Sequence, residues 1–197
     1  MERIPQPIMD KRGEPHMKRF EEQRWLLDNI VRTNGVDWDQ PRSIYISSPC
    51  GPEGGADIAG VRERVKKMAD IAPAFEAVAR RREAKAKAAE EAGSMVTARD
   101  NYFMSAVYWG AAQWPYDQND EANVACHLKK RECYTKYAGM ADHKVEAAWI
   151  PLPSGKRVPG WFHLPYGYKS GRVPAVVSIP GMDGFKESNV ALLGDRW

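Results

Sequence analysis

The hydrophobic period of the chain changes once, near residue 142, and this change limits the possible folds more than any other feature. Before it, apolar residues recur three and four positions apart, which is the spacing of amphipathic helices. After it, Val145, Ala147 and Trp149 occupy every second position, which is the rhythm of a β-strand. We therefore predict an α/β chain in which a helical part precedes the first strands of a sheet.

Five helices are predicted in the first part, each from apolar spacing and from capping or stop residues such as Ser94, Pro115 and Asp120. Their predicted ranges are, in order, residues 16–33, about 58–68, 72–93, 94–114 and about 119–137. Residues 1–15 contain three prolines and no periodicity, which predicts an extended arm. Residues 37–55 are rich in Pro, Gly and Ser, which predicts a loop with at most a brief extended piece.

Composition excludes several classes of protein. The net charge is only +3, from 29 basic and 26 acidic residues, and Glu83, Glu90 and Glu91 interrupt the basic run of the third helix, so we expect a solvated helix face and no nucleic-acid partner. No apolar run is long enough to cross a membrane and no secretory signal is present, which favours a cytoplasmic protein. The three cysteines form no known spacing motif and are expected to be reduced thiols in the core.

Two kinds of strand are predicted after residue 142. A turn, "PSGKR", separates the first strand from "VPGWFHL", and the pair predicts a β-hairpin, which Pro159 assigns to a sheet edge. By contrast "PAVVSI", residues 174–179, is short and continuously apolar, which is typical of a strand covered on both faces. A parallel sheet flanked by helices is therefore expected to start near residue 173.

The stretch "PAVVSIPGMDGFKES" resembles the third strand and the oxyanion loop of the α/β-hydrolases. The helical hairpin of residues 98–138 resembles the last two cap helices of a subgroup with an N-terminal helical cap, the dihydroxypseudooxynicotine hydrolase type and the fungal yellowish-green pigment hydrolases that shorten polyketides. The resemblance implies an arm at residues 1–15, a helical cap at 16–141 and the start of an α/β-hydrolase core at 142–197.

The resemblance also implies roles for the loop. Attack on a carbonyl develops negative charge on its oxygen, and fixed backbone N–H donors stabilise that charge. Gly181 lets the chain turn close to the substrate, and the backbone N–H of Met182 is the expected donor, with a second from the residue after the nucleophile. Lys186 and Glu187, with Asp183, either anchor the loop or begin the next helix.

The catalytic residues of such hydrolases are missing from the sequence. A serine nucleophile on a G-x-S-x-G turn should be followed by an acid and a histidine, yet no G-x-S-x-G occurs and all four histidines precede the expected nucleophile strand. We therefore expect the chain to be the N-terminal portion of a longer, serine-dependent hydrolase and to be inactive alone. Phosphate-loop, dinucleotide and metal-site motifs are also absent from the sequence, so no cofactor is predicted.

The expected substrate is a small molecule, an ester or a compound cleaved at a carbon–carbon bond next to a carbonyl. The fourth helix is unusually aromatic, and although such residues are more often core, an aromatic or polyketide-like ligand is indicated. Tyr102, Trp109 and His127 are the candidate substrate-side residues. The alternative is a non-catalytic helical module that binds a partner through its aromatic surface. The arm and cap are also compatible with a homodimer.

Overall fold

The computed structural model describes residues 8–9, 15–16, 19–181 and 184–192. The helices in these ranges are α1 (Arg19–Asn34), α2 (Gln40–Ser47), α3 (Gly51–Arg64), α4 (Ile71–Glu91), α5 (Met95–Ala112), α6 (Glu121–Met140) and α7 (Lys186–Leu192). The strands are β1 (Ile8–Met9), β2 (Pro15–His16), β3 (Val145–Pro151) and β4 (Arg157–His163). Single-turn 3₁₀ helices lie at Val36–Trp38, Ser48–Cys50 and Met68–Asp70. The predicted order, helices first and then the start of a sheet, is confirmed.

Helix α5 is the centre of the helical part, because α4 and α6 both pack against it. Residues 101–112 are all buried, so this helix has no polar face over its last three turns. Its aromatic side chains meet those of its neighbours: the Phe75 and Tyr108 rings stack with centroids 6.4 Å apart, and the Phe103 and Tyr137 rings lie 5.1 Å apart. Burial of each such side chain stabilises the fold by roughly 1.5–3 kcal/mol.

A buried ionic cluster joins α3, α4 and α5. The guanidinium of Arg82 donates from Nε to Asp57 Oδ2 at 2.7 Å, from NH1 to Asn101 Oδ1 at 3.0 Å, and also to Glu53. Arg82, Asp57 and Asn101 are buried, and so is Glu83 on the same helix. The predicted solvated face of α4 is therefore wrong at residues 82 and 83, because paired charges are tolerated in the interior where single ones are not.

The segment predicted as a loop, residues 37–55, is helical. The Asp39 side chain caps α2 by accepting from the backbone N–H of Arg42 at 3.2 Å, and Pro41 fits the first turn. Gly51, the first residue of α3, has φ +66°. A Cβ at Gly54 would lie 2.6 Å from the Ser47 carbonyl oxygen, so glycine permits the close approach of α2 and α3. The proline and glycine residues that favoured a loop therefore begin helices or allow two helices to pack closely.

The β3–β4 hairpin confirms the predicted strand pair. Its antiparallel register runs from Val145 opposite His163 to Pro151 opposite Arg157. One face packs on α6, where the Tyr134 and Trp161 rings lie 4.7 Å apart. The other face carries large apolar side chains that are exposed: Ile150, Val158 and Phe162.

The buried strand expected at residues 174–179 is not formed, and this correction has a simple cause. Val176, Val177 and Ile179 are 83–85% exposed and the segment has no strand geometry. A strand is held by hydrogen bonds to a neighbouring strand, and the described part of the chain places none beside it.

Among the helices of the described part of the chain, none has the length and apolar character needed to cross a membrane.

Candidate functional site

A cleft of about 800 Å³ lies between α2, the C-terminal end of α5, α6 and residues of the segments 178–181 and 184–189. This volume is in the range of small-molecule sites. The cleft is where the loop after the "PAVVSI" segment meets the helices, and Gly181 is part of its wall. It is therefore the candidate substrate site.

Gly181 and Gly184 form a turn, in which the Gly184 N–H donates to the Gly181 carbonyl oxygen at 3.0 Å. A Cβ at Gly184 would lie 2.8 Å from Pro180 Cβ, a separation that only glycine avoids. The next residue, Phe185, places its ring against Gly110 of α5, where a Cβ would lie 2.6 Å from the ring. Two glycines, one on each side of the contact, thus allow the turn to lie directly on the central helix.

Glu187 fixes the helix that follows the turn. Its carboxylate is fully buried, and Oε1 accepts from Trp161 Nε1 of β4 at 3.2 Å and from Lys186 Nζ. The ammonium of Lys130 on α6 lies 3.8 Å from Oε2. Burial acts to raise the pKa of Glu187, but Lys130 and Lys186 outweigh it and hold the pKa below its usual value. The carboxylate therefore joins α6, β4 and α7 and keeps the preceding turn at the cleft.

The opposite wall of the cleft is aromatic and cationic. The Trp114 ring stacks on Trp38 with centroids 6.0 Å apart, and the guanidinium of Arg42 lies 4.1 Å from its centre. Arg42 also donates to the Asp39 carboxylate at 2.8 Å. Tyr45, on the same helix, lines the cleft and is exposed. Such a surface suits a flat ligand, because ring faces and a guanidinium plane stack on it.

Two of the predicted substrate-side residues lie in the core. Tyr102 is 2% exposed and its hydroxyl donates to Glu90 Oε2 at 2.6 Å, near the C-terminal end of α4. Trp109 is 1% exposed and lies under the guanidinium of Arg80 at 4.8 Å. Neither side chain lines the cleft, so a direct substrate contact for either stays a prediction that this geometry does not favour.

The other predicted residues are His127, Gly181 and Met182. His127 is half-buried on α6, and burial followed by the charges of Lys130 and Lys186 lowers its pKa. His127 does not line the cleft, whereas Gly181 does. Met182, the expected oxyanion donor, lies outside the described residues. Gly181 and the helices thus meet at the cleft, whereas Tyr102, Trp109 and His127 do not line it.

Sequence reasoning missed the side chains that line the cleft: Arg42, Tyr45, Gln113, Lys130 and Phe185. Arg42 and Tyr45 fall in the segment interpreted as a loop, where no helix face was assigned. Lys130 lies on the predicted fifth helix, but from the sequence alone a single lysine in a helix predicts a solvent-exposed charge. In the sequence, only the pair Lys186-Glu187, which closely follows the glycine turn, indicated a residue that holds the loop in place. Glu187 lies in the first turn of α7 and also anchors the loop by accepting a hydrogen bond from Trp161.

A match to a known protein family covers the residues of this site from Gly110 onward, but not those of α2. The family described as "Esterase FrsA-like" matches residues 75–196. The chain is 26% identical over 148 residues to the alpha/beta hydrolase xenA of Xenoacremonium sinensis, which is 72% of this chain and 35% of that protein. It is 29% identical over 157 residues to the alpha/beta hydrolase ucsC of an Acremonium species, or 69% of this chain and 31% of that protein. The chain spans about a third of the length of the curated relatives it matches.

Proposed function

The chain belongs to the FrsA-like esterase family, and on that premise we propose that it forms the N-terminal part of a serine-dependent α/β-hydrolase. The proposed reaction is cleavage of an ester or of a carbon–carbon bond next to a carbonyl. Residues 16–141 act as a helical cap that shapes the substrate pocket, and residues 142–197 begin the hydrolase core. Residues 180–184 supply one oxyanion donor, the backbone N–H of Met182.

One observation carries this proposal: the Phe185 ring lies directly on Gly110, and it thereby holds Gly184 and Gly181 in the wall of the cleft. Backbone donors stabilise a developing oxyanion only if they are fixed before the reaction. The contacts at Gly110 and Gly184 and the anchored Glu187 carboxylate support such a fixed position for the described residues on either side of the proposed donor. A turn without such contacts would be free to move away from the substrate.

The chemistry follows from this placement. The serine hydroxyl adds to the substrate carbonyl carbon while its proton passes to the histidine, and the carbonyl oxygen becomes an oxyanion facing the turn. Collapse of this intermediate expels the alkoxide of an ester or the carbanion of a ketone, and this leaving group takes the proton from the histidine. Water then hydrolyses the acyl-enzyme by the same steps. Loss of one oxyanion donor typically lowers kcat by about 100- to 1000-fold.

The test is Gly184→Ala in the full-length enzyme, with Gly60→Ala as the matched control. A Cβ at Gly60, in α3, meets nothing within 4 Å, whereas one at Gly184 meets Pro180 at 2.8 Å. We expect Gly184→Ala to lower kcat on p-nitrophenyl esters by about tenfold or more while KM changes little. Gly60→Ala should keep the wild-type kcat.

Equal kcat values for the two variants would remove the turn from catalysis. A matched assay on an aryl 1,3-diketone, followed by product analysis, separates ester from carbon–carbon cleavage. An enzyme that turns over neither substrate class, and that also lacks a reactive serine, would favour the alternative of a non-catalytic binding module.

A further inference from the structure

Lys130 is a buried cation in the cleft wall with unused hydrogen-bonding capacity. Its side chain is 7% exposed, and it lines the cleft together with Gln113. Nζ donates to Gln113 Oε1 at 2.8 Å. The Gln113 amide is itself fixed, because its Nε2 donates to Asn123 Oδ1 at 2.6 Å. An ammonium has three N–H donors, and within the described residues this is its one hydrogen bond, so two donors remain for a ligand.

The charges around Lys130 do not balance. The Glu187 carboxylate lies 3.8 Å away, beyond hydrogen-bonding distance, and Lys186 is much closer to it. Two ammonium groups therefore share one carboxylate. Arg42 and Asp39, the other charged side chains of the described cleft wall, pair with each other. Among the described residues, the region around Lys130 thus carries one excess positive charge, shared by Lys130 and Lys186.

The titration behaviour of the neighbourhood agrees with this excess. Burial lowers the pKa of Lys130, Glu187 opposes that effect, and Lys186 adds to it. The pKa of His127 is also lowered, by burial and then by the same two lysines. An anion beside Lys130 would offset both effects, because an opposite charge favours the protonated form.

We infer that the Lys130 ammonium recognises an anionic oxygen of the substrate, of which a carboxylate on the acyl portion is the simplest form. This inference rests on the proposed function, since it takes the cleft as the substrate site. The Phe185 ring lies 5.2 Å from Nζ, and Lys130 and Gly181 line the same cleft, so an anionic group held at Lys130 leaves the rest of the substrate in the cleft that Gly181 also lines. Lys130 is accordingly a specificity-determining residue, and Gln113 positions it.

The test compares two esters of equal chain length in the full-length enzyme, p-nitrophenyl valerate and the p-nitrophenyl monoester of glutaric acid. The variants are Lys130→Met and Lys130→Gln, the second of which keeps a polar group beside Gln113. The control is Lys136→Met, on the same helix but with a side chain 50% exposed. A binding measurement independent of turnover accompanies them: the shift in melting temperature with glutarate up to about 20 mM.

We expect the wild-type enzyme and Lys136→Met to prefer the acidic ester in kcat/KM. In both Lys130 variants the ratio of kcat/KM for the acidic ester to kcat/KM for valerate should fall by about tenfold to a hundredfold, since a charge-assisted hydrogen bond is removed. Glutarate should raise the melting temperature of the wild-type enzyme but not that of the Lys130 variants. An unchanged preference, or no shift with glutarate, would overturn the inference. If glutarate binds through Lys130 while both esters stay intact, the proposed function fails and the anion site stands.

Discussion

The contact between Gly110 and Phe185 gives the sharpest prediction about how the turn is held. A Cβ added at Gly110 would lie 2.6 Å from Phe185 Cζ and 2.8 Å from both Cε atoms. These separations are far below van der Waals contact, so Gly110→Ala must push the ring, and the turn attached to it, away from α5. Overpacking of this kind costs about 1–3 kcal/mol.

The same substitution also has a favourable part, because alanine is about 1 kcal/mol better than glycine in a helix. Gly60→Ala isolates that part, since nothing lies within 4 Å of its new methyl group. We therefore predict that the free energy of unfolding of Gly110→Ala is lower than that of Gly60→Ala by about 1–3 kcal/mol. Urea unfolding of the purified variants measures the difference directly.

A double-mutant cycle then identifies the partner. Phe185→Leu shortens the side chain that the new methyl group would meet, so Gly110→Ala should cost less in the Phe185→Leu background than in the wild type. The expected coupling is about 1 kcal/mol or more. Strictly additive effects, or equal stability of Gly110→Ala and Gly60→Ala, would refute the claim that this contact seats the turn.

Two further predictions concern charge. Asp57→Asn removes a partner of the buried Arg82 guanidinium and should lower the free energy of unfolding, measured in urea, by about 3 kcal/mol. Asp37→Asn, at the more exposed pair with Arg62, should lower it by about 1 kcal/mol or less. Similar losses in the two variants would contradict the difference in burial between the pairs. Burial acts to raise the pKa of Glu83, but Lys87 and Lys129 bring this pKa below its ordinary value of 4.5. The Glu83 carboxylate therefore stabilises the fold above pH 4.5, and this stabilisation is lost as the pH falls through the lowered pKa. Glu83→Gln should therefore flatten the loss of stability between about pH 5 and pH 3, and an unchanged slope would argue against the ion pairs.

Much of the fold follows from local signals in the sequence. The helices α4, α5 and α6 were predicted because apolar spacing and end signals agreed at each of them, as where Pro115 ends the fourth helix and Asp120 caps the fifth. The β3–β4 hairpin followed from alternation and a Gly-containing turn. These features depend on residues close together in the chain.

Features that depend on distant residues were not predictable in this way. Arg82 is buried because Asp57 and Glu53 of another helix meet it, and a run of charges on one helix does not reveal such partners. The aromatic pattern of α5 identified a buried helix but not which side chains face the cleft, so Tyr102 and Trp109 were chosen although Gly110 and Trp114 lie nearer to it. The segment at residues 174–179 has the composition of a buried strand without a strand beside it.

The most direct test of the central claim is labelling of the full-length protein with a fluorophosphonate, followed by mass spectrometry of the labelled peptide. We predict one modified serine, on a G-x-S-x-G turn outside residues 1–197, and loss of ester hydrolysis in step with labelling. Hydrolysis that continues after complete labelling, or a labelled serine within residues 1–197, would contradict the assignment of this chain as the cap and oxyanion part of a serine hydrolase.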